Sequence, residues 1–330
     1  MPDNHVNLST PQPSLLARLP LISNLLTNVV VKQRISPKRL ANPQTPEHYG
    51  LEFRSVDIES SDGVRLSAWE IPAAGSTKVA IVNHPLLCTR FGSEEGMDGV
   101  AVAFLPMLKH LHDAGYSVVT YDQRGQGESD GGLGKTAIGP ETPVGAGAVE
   151  WQDFVGVLRH VSTHEDFSDH DIVLVTHCMG ANAALAAWQH APDEFDLDRV
   201  KCHVAVQPTI SYNMMARLTR QKVKIDLASK VEHVTQEKLG FGFADALSSI
   251  EHVRVPVLFT QVAADVYTTD EETGVNDVQI IHDRCPTDKT LIWIGPDQAK
   301  PFGEGKRFDG YNYFNDHPEE LIDFLDTHTS

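Results

Sequence analysis

The chain is predicted to be an α/β protein built on a doubly wound, mostly parallel sheet, and three observations lead there. Short, nearly continuous apolar runs recur along the sequence, each about the length of a strand buried on both faces. Helix-length amphipathic segments separate them. One β-branched run, residues 172–175, stops at Thr176-His177-Cys178-Met179-Gly180 and passes at once into the Ala-rich stretch 181–187. That last pattern reads as strand, sharp turn and helix, with one side chain thrust out above a sheet.

Apolar and polar residues alternate over 52–58 and again over 64–71, with Ser61-Asp62-Gly63 between them as the turn of an antiparallel hairpin. Beyond it come the continuous runs 79–82, 117–120, 172–175, 204–206, 257–259 and 291–294, the candidate parallel strands. Helical patterning covers 102–114, 148–161, 179–190, 277–284 and 318–328. The interval 209–250 breaks this rhythm. It holds Tyr212-Asn213-Met214-Met215-Ala216 and a basic, helix-like stretch at 217–230. Either it is a helical lid over the site, with the methionines as adaptable pocket lining, or it is a peripheral helical pair.

Residues 1–50 form an arm and connector ahead of one domain spanning 51–330. Residues 14–31 are fairly apolar, but Arg18, Pro20, Asn24 and Asn28 interrupt them. The stretch is too short and broken to span a bilayer. It reads as an amphipathic arm packed on the domain or on a second copy, which would make a homodimer. Residues 1–5 carry an acid and no basic region, so no secretory signal is expected.

The 330 residues include 27 Lys and Arg against 45 Asp and Glu, a formal charge of −18. Such a balance argues against nucleic acid or an anionic membrane as the main partner. Cys88, Cys178, Cys202 and Cys285 form no CxxC pair, so neither a zinc site nor a disulfide framework is suggested. Cys202 and Cys285 read as small packing residues. A reducing, cytoplasmic setting follows and would keep Cys178 reduced. No phosphate-cradling glycine loop and no clustered metal-ligand motif is present, so no cofactor or metal is expected, only a small-molecule substrate.

Cys178 can be read as a structural cysteine at a strand end or as a nucleophile, thiolates being strong nucleophiles near neutral pH. Acyl transfer needs a nucleophile, donors aimed at the developing oxyanion, and a base. The backbone N–H of Met179, at a helix start, is one candidate donor. The N–H of Leu86, in the loop after the run 79–82, is the second; Pro85 has none to give. Asp265 ends a buried run, where a carboxylate orients an imidazole or simply makes a turn or a cap. The Gly-rich segment 122–129 reads as a structural turn.

From about residue 51 onward the chain resembles the α/β-hydrolase superfamily, and within it the cysteine-nucleophile, dienelactone-hydrolase-like branch and its relatives. Three segments carry the resemblance besides the Cys178 elbow. Tyr121-Asp122-Gln123-Arg124-Gly125-Gln126-Gly127-Glu128-Ser129 is similar to the superfamily's Asp-x-Arg-Gly-x-Gly-x-Ser loop. Asn83-His84-Pro85-Leu86 stands where the His-Gly oxyanion loop lies, and Gln261-Val262-Ala263-Ala264-Asp265 where the acid lies. The resemblance implies an α/β-hydrolase fold and a catalytic histidine after the last strand, yet residues 295–314 hold no histidine. His317, next along, directly precedes Pro318 at a helix start and reads as structural. His177 reads as packing, and Thr176 is bulkier than the Gly usual there. His84 is the substitute base, or else the structural histidine common at that position. Residues 308–314 resemble a motif of relatives that lack the histidine too. The expected activity is acyl transfer on a small or medium apolar ester, thioester or lactone through Cys178. A non-hydrolytic lyase, isomerase or cyclase, and an inactive ligand-binding homologue, are the alternatives.

Overall fold

The computed structural model describes residues 20–94, 99–263, 265–295 and 307–329. Residues 1–19, which hold the start of the arm, and 296–306, most of the histidine-free stretch, lie outside the described residues. The strands are β1 (Arg54–Glu59), β2 (Arg65–Ile71), β3 (Lys78–Val82), β4 (Gly92–Ser93), β5 (Val102–Ala103), β6 (Ser117–Tyr121), β7 (Asp171–His177), β8 (Val200–Val206), β9 (Val257–Val262) and β10 (Lys289–Ile294). The main sheet has eight strands in the order β1-β2-β6-β3-β7-β8-β9-β10. β1 and β2 form the expected antiparallel hairpin, β2 runs antiparallel to β6, and the remaining pairings are parallel. Six strands therefore end on one edge. That edge carries the site.

Burial on both faces explains the continuous apolar runs. Along β7, Ile172 and Leu174 enter one core layer, with α3 (Trp151–Thr163), α4 (Met179–His190), α7 (Ala246–Ser249) and α8 (Asp277–Arg284). Val173 and Val175 enter the other, with α2 (Leu105–Asp113), α9 (Tyr313–Asp316) and α10 (Pro318–His328). Each buried aliphatic side chain contributes roughly 1.5–3 kcal/mol by removal from water.

Three boundaries differ from the sequence expectation. The helix expected from residue 102 starts at Leu105, because Val102 and Ala103 pair instead with β4. The helix expected from 148 starts at Trp151, because the Glu150 carboxylate turns back onto the N–H groups of Gly145 (2.6 Å) and Gly147 (2.7 Å). The stretch 217–230 is not one helix: α5 (Ser211–Val223) stops where Lys224 takes φ 59°, and α6 (Ala228–Leu239) follows. α1 (Pro20–Ile35) packs on α6 of its own chain through Val31, Leu227 and Val231. No helix of the described residues is long and apolar enough to cross a membrane.

Candidate active site

Cys178 sits between β7 and α4 with φ 48° and ψ −105°, a conformation that side chains rarely adopt, and it is buried. Strain of this kind, about 1–3 kcal/mol, persists only where surrounding structure enforces it. Asn83, at the end of β3, does the enforcing. Its carboxamide accepts from His177 N–H (3.2 Å) and donates to the Gly180 carbonyl (3.0 Å). A Cβ on Gly180 would come within 2.1 Å of that same carboxamide, which is why glycine follows the cysteine by two residues. The bulk of Thr176 is accommodated by its hydroxyl pairing with His203 Nε2 at 2.7 Å.

Met179 is the first residue of α4, so its N–H has no helical carbonyl four residues back to bond. Leu86 is half-buried in the loop after β3, just ahead of Leu87 at φ 62°. Asp265 lies three residues past β9, fully buried. Its carboxylate accepts from Tyr267 N–H (2.9 Å) and Gln261 Nε2 (3.1 Å) and pairs with Arg307 Nη1 at 2.6 Å. So the acid is present on its turn, but the group it orients is a guanidinium.

Arg307 and Tyr311 occupy the histidine's region. The Arg307 side chain donates to the Gln207 carbonyl, and Gln207 Nε2 returns a bond of 2.8 Å to the Arg307 carbonyl. Gln207, at φ 50° after β8, thus clamps the segment beneath the site. Tyr311 is buried, with its phenol beside the Cys178 thiol. Burial pushes the Tyr311 phenol well above its usual range, and the neighbouring thiol adds to the shift; the phenol is neutral. Burial alone would lower Arg307, but Tyr311, Cys178 and Asp265 outweigh it and hold the guanidinium charged. Burial and the proximity of Cys178 likewise push the Cys88 thiol up.

His84 is fully buried with both ring nitrogens engaged: Nδ1 with the Pro85 carbonyl (2.9 Å), Nε2 with Gln123 N–H (3.0 Å). His177 bonds the Asn83 carbonyl through Nδ1 (2.7 Å) and packs against Phe104 and Tyr311. Its Nε2 has no partner, and burial pushes its pKa down to about 4. His317 stands at the N-cap position of α10 without a side-chain capping bond and stacks on Tyr313. Sequence reasoning singled out the segment containing Tyr311 without giving the residue a role, and it missed Arg307. The available signal was a lone arginine just ahead of an aromatic motif in a stretch lacking its histidine.

Segment 122–129 is a closed structural unit. Asp122 accepts from Arg90 N–H (2.8 Å), Arg90 Nη1 (2.7 Å), Asn42 (2.9 Å) and Glu128 N–H (2.9 Å). Arg39, in the connector, donates to five backbone carbonyls in and just beyond it, those of Gln126, Gly127, Ser129, Gly131 and Thr136. The insertion is anchored on both sides of the site. Asn182 of α4 exchanges hydrogen bonds with Thr209, and Arg217 of α5 pairs with Asp277 (2.7 Å) and the Tyr267 carbonyl (3.3 Å).

The sheet order, the strained elbow after β7 and the buried acid after β9 define an α/β-hydrolase fold. Residues 95–237 match a family model described as serine aminopeptidase, S33. An esterase of Pyrococcus furiosus superimposes with a TM-score of 0.62 at 21% identity, covering 89% of this chain and all of its own. The esterase domain of a Rhodothermus marinus protein does so with a TM-score of 0.51 at 17% identity, covering 84% of this chain and 100% of its own. The uncharacterized protein YfhR of Salmonella typhimurium is 27% identical over 169 residues, 50% of this chain and 49% of that protein. The chain thus spans about half the length of the curated relative it matches. The chain has the α/β-hydrolase fold, to which these solved esterase structures are similar.

Proposed function

We propose that the chain is an acyl-transfer enzyme of the cysteine-nucleophile type, acting on a small or medium apolar ester, thioester or lactone. The observation that carries this reading is a thiol on a strained elbow, with the Tyr311 phenol and the charged Arg307 guanidinium beside it. The thiolate is the attacking form, and the adjacent guanidinium offsets its charge. Cys178 Sγ attacks the acyl carbon, the carbon–oxygen π pair moves to oxygen, and the N–H groups of Met179 and Leu86 hold that oxyanion. Collapse expels the leaving alkoxide or thiolate, which takes the Tyr311 proton; Arg307, fixed by Asp265, stabilises the phenolate left behind. Water or another acceptor gives its proton to that phenolate as it attacks the thioester, which restores Tyr311 and releases Cys178.

In this reading Tyr311 and Arg307 do the proton and charge work of the missing imidazole, and His84, bonded at both nitrogens, is a structural member of the oxyanion loop. Residues 209–250 act as the lid, supported by their anchors at Asn182 and the 265–268 turn. A homodimer through the arm is supported by Ile22, Leu25 and Val29 standing exposed on α1 while Val31 is buried. The test is intact-mass measurement after incubation with p-nitrophenyl butyrate. A single butyryl adduct is expected on wild type and none on Cys178→Ala. Acylation of another cysteine, or no adduct and no p-nitrophenol release, refutes the assignment and leaves a ligand-binding homologue.

A further inference from the structure

Away from the elbow, β2 and the end of α3 bring one carboxylate and two imidazoles together, a grouping that no spacing in the sequence announces. α3 runs back against the parallel strands, so its last turn lies towards the edge where β3 and β7 begin, opposite the edge that carries Cys178. Glu70 stands on β2 opposite Arg54 of β1 and Val119 of β6, and is 1% exposed. His160 and His164, four residues and one helical turn apart, are partly exposed above it, their ring centroids 5.1 Å apart. His160 Nε2 lies 2.7 Å and His164 Nε2 3.9 Å from Glu70 Oε1. One ligand atom from each of the three residues lies within 4.8 Å of the other two.

Glu70 Oε2 is buried yet accepts no well-directed hydrogen bond; its one contact is the Arg54 guanidinium at 2.9 Å. Arg54 is held in turn by Asp166 at 2.6 Å. An outer layer of this kind fixes a ligating carboxylate in place.

We propose that Glu70, His160 and His164 form a binding site for one divalent transition-metal ion of the zinc class. Two imidazole nitrogens and one carboxylate oxygen suit zinc and its neighbours, whereas magnesium and calcium prefer all-oxygen sets. The solvent side leaves a fourth position for water. Loading replaces the direct Glu70–His160 hydrogen bond with two bonds of about 2.0–2.2 Å to the metal. The His164 ring proton then sits on Nδ1, and the long 3.2 Å contact from Asp166 N–H to that nitrogen is given up. The ion ties β2 to the end of α3, so it acts on stability and stands apart from the chemistry at Cys178.

The experiment uses the full chain, stripped with chelator, in equilibrium dialysis against zinc chloride with magnesium chloride in excess. Wild type is expected to bind one more zinc per chain than the double variant His160→Gln/His164→Gln, and zinc is expected to raise the Tm of wild type alone. Glu70→Gln keeps the shape and is expected to weaken binding by on the order of 10²-fold. Should the double variant not fold, His164→Gln alone gives the same reading, since that ring is partly exposed. Equal zinc uptake by wild type and folded variants overturns the site, and so does magnesium displacing the zinc.

Discussion

Two buried aspartate–arginine pairs, Asp122–Arg90 and Asp265–Arg307, match in charge and burial and differ in their surroundings. Around Asp122 every neighbour is a structural donor: two backbone N–H groups, Asn42 and Arg90 itself. A Cβ on Gly127 would come within 2.0 Å of that carboxylate, so the chain must turn there with glycine at φ 50°. Around Asp265 the donors are structural too, but the arginine's charge continues outward to Tyr311 and Cys178. An ion pair enclosed by backbone amides staples loops together. In the proposed reaction, the same pair facing a thiol and a phenol supports the charge that develops.

The sharpest way to break this comparison is to remove Asp122. Asp122→Ala leaves the buried Arg90 with only the exposed Glu128 carboxylate as its ion-pair partner and strands the other donors that Asp122 accepts from, and is expected to cost about 3–5 kcal/mol of stability. Denaturant unfolding would measure it, and a loss under about 1 kcal/mol would remove the staple role. The complementary variant is Tyr311→Phe at the other pair. It is expected to slow acylation of Cys178 by on the order of 10²-fold, with unfolding free energy within about 1 kcal/mol of wild type. Unchanged stopped-flow acylation would take Tyr311 out of the proton path.

The histidine under the site gives a pH-dependent difference between the two regions. His177 has a folded pKa of about 4, below its ordinary 6.5. Between those values the unfolded chain binds the proton and the native state does not, so this contribution is present above pH 6.5 and is lost as pH falls towards 4. About 2 kcal/mol is expected to disappear between pH 7 and pH 5. His177→Gln should flatten that part of the profile, whereas an unaltered slope would mean that the ring is not held neutral. The connector offers a test of similar size. Arg39→Ala removes five bonds to backbone carbonyls at a partly exposed position, and is expected to cost about 2 kcal/mol. A thermal scan decides whether residues 35–50 truly brace the Asp122 loop.

The sequence by itself determined the sheet and the elbow. Runs such as 172–175 are apolar at every position because both faces of β7 are buried, and this local signal survives without knowledge of the partners. The thiol at Cys178, the glycine two residues on, the acid at Asp265 and the absence of a histidine over 295–314 are likewise plain in the chain. What only the tertiary structure decided is who stands beside whom. Arg307 meets Asp265 across 42 residues, and Tyr311, from the segment after β10, comes beside Cys178 at the end of β7. Glu70 meets His160 across 90 residues. Arg39 reaches a loop about 90 residues away. No periodicity records these pairings, because a buried charge is stabilised by whatever partner the fold brings within about 3 Å, and that distance is set by the packing of whole elements.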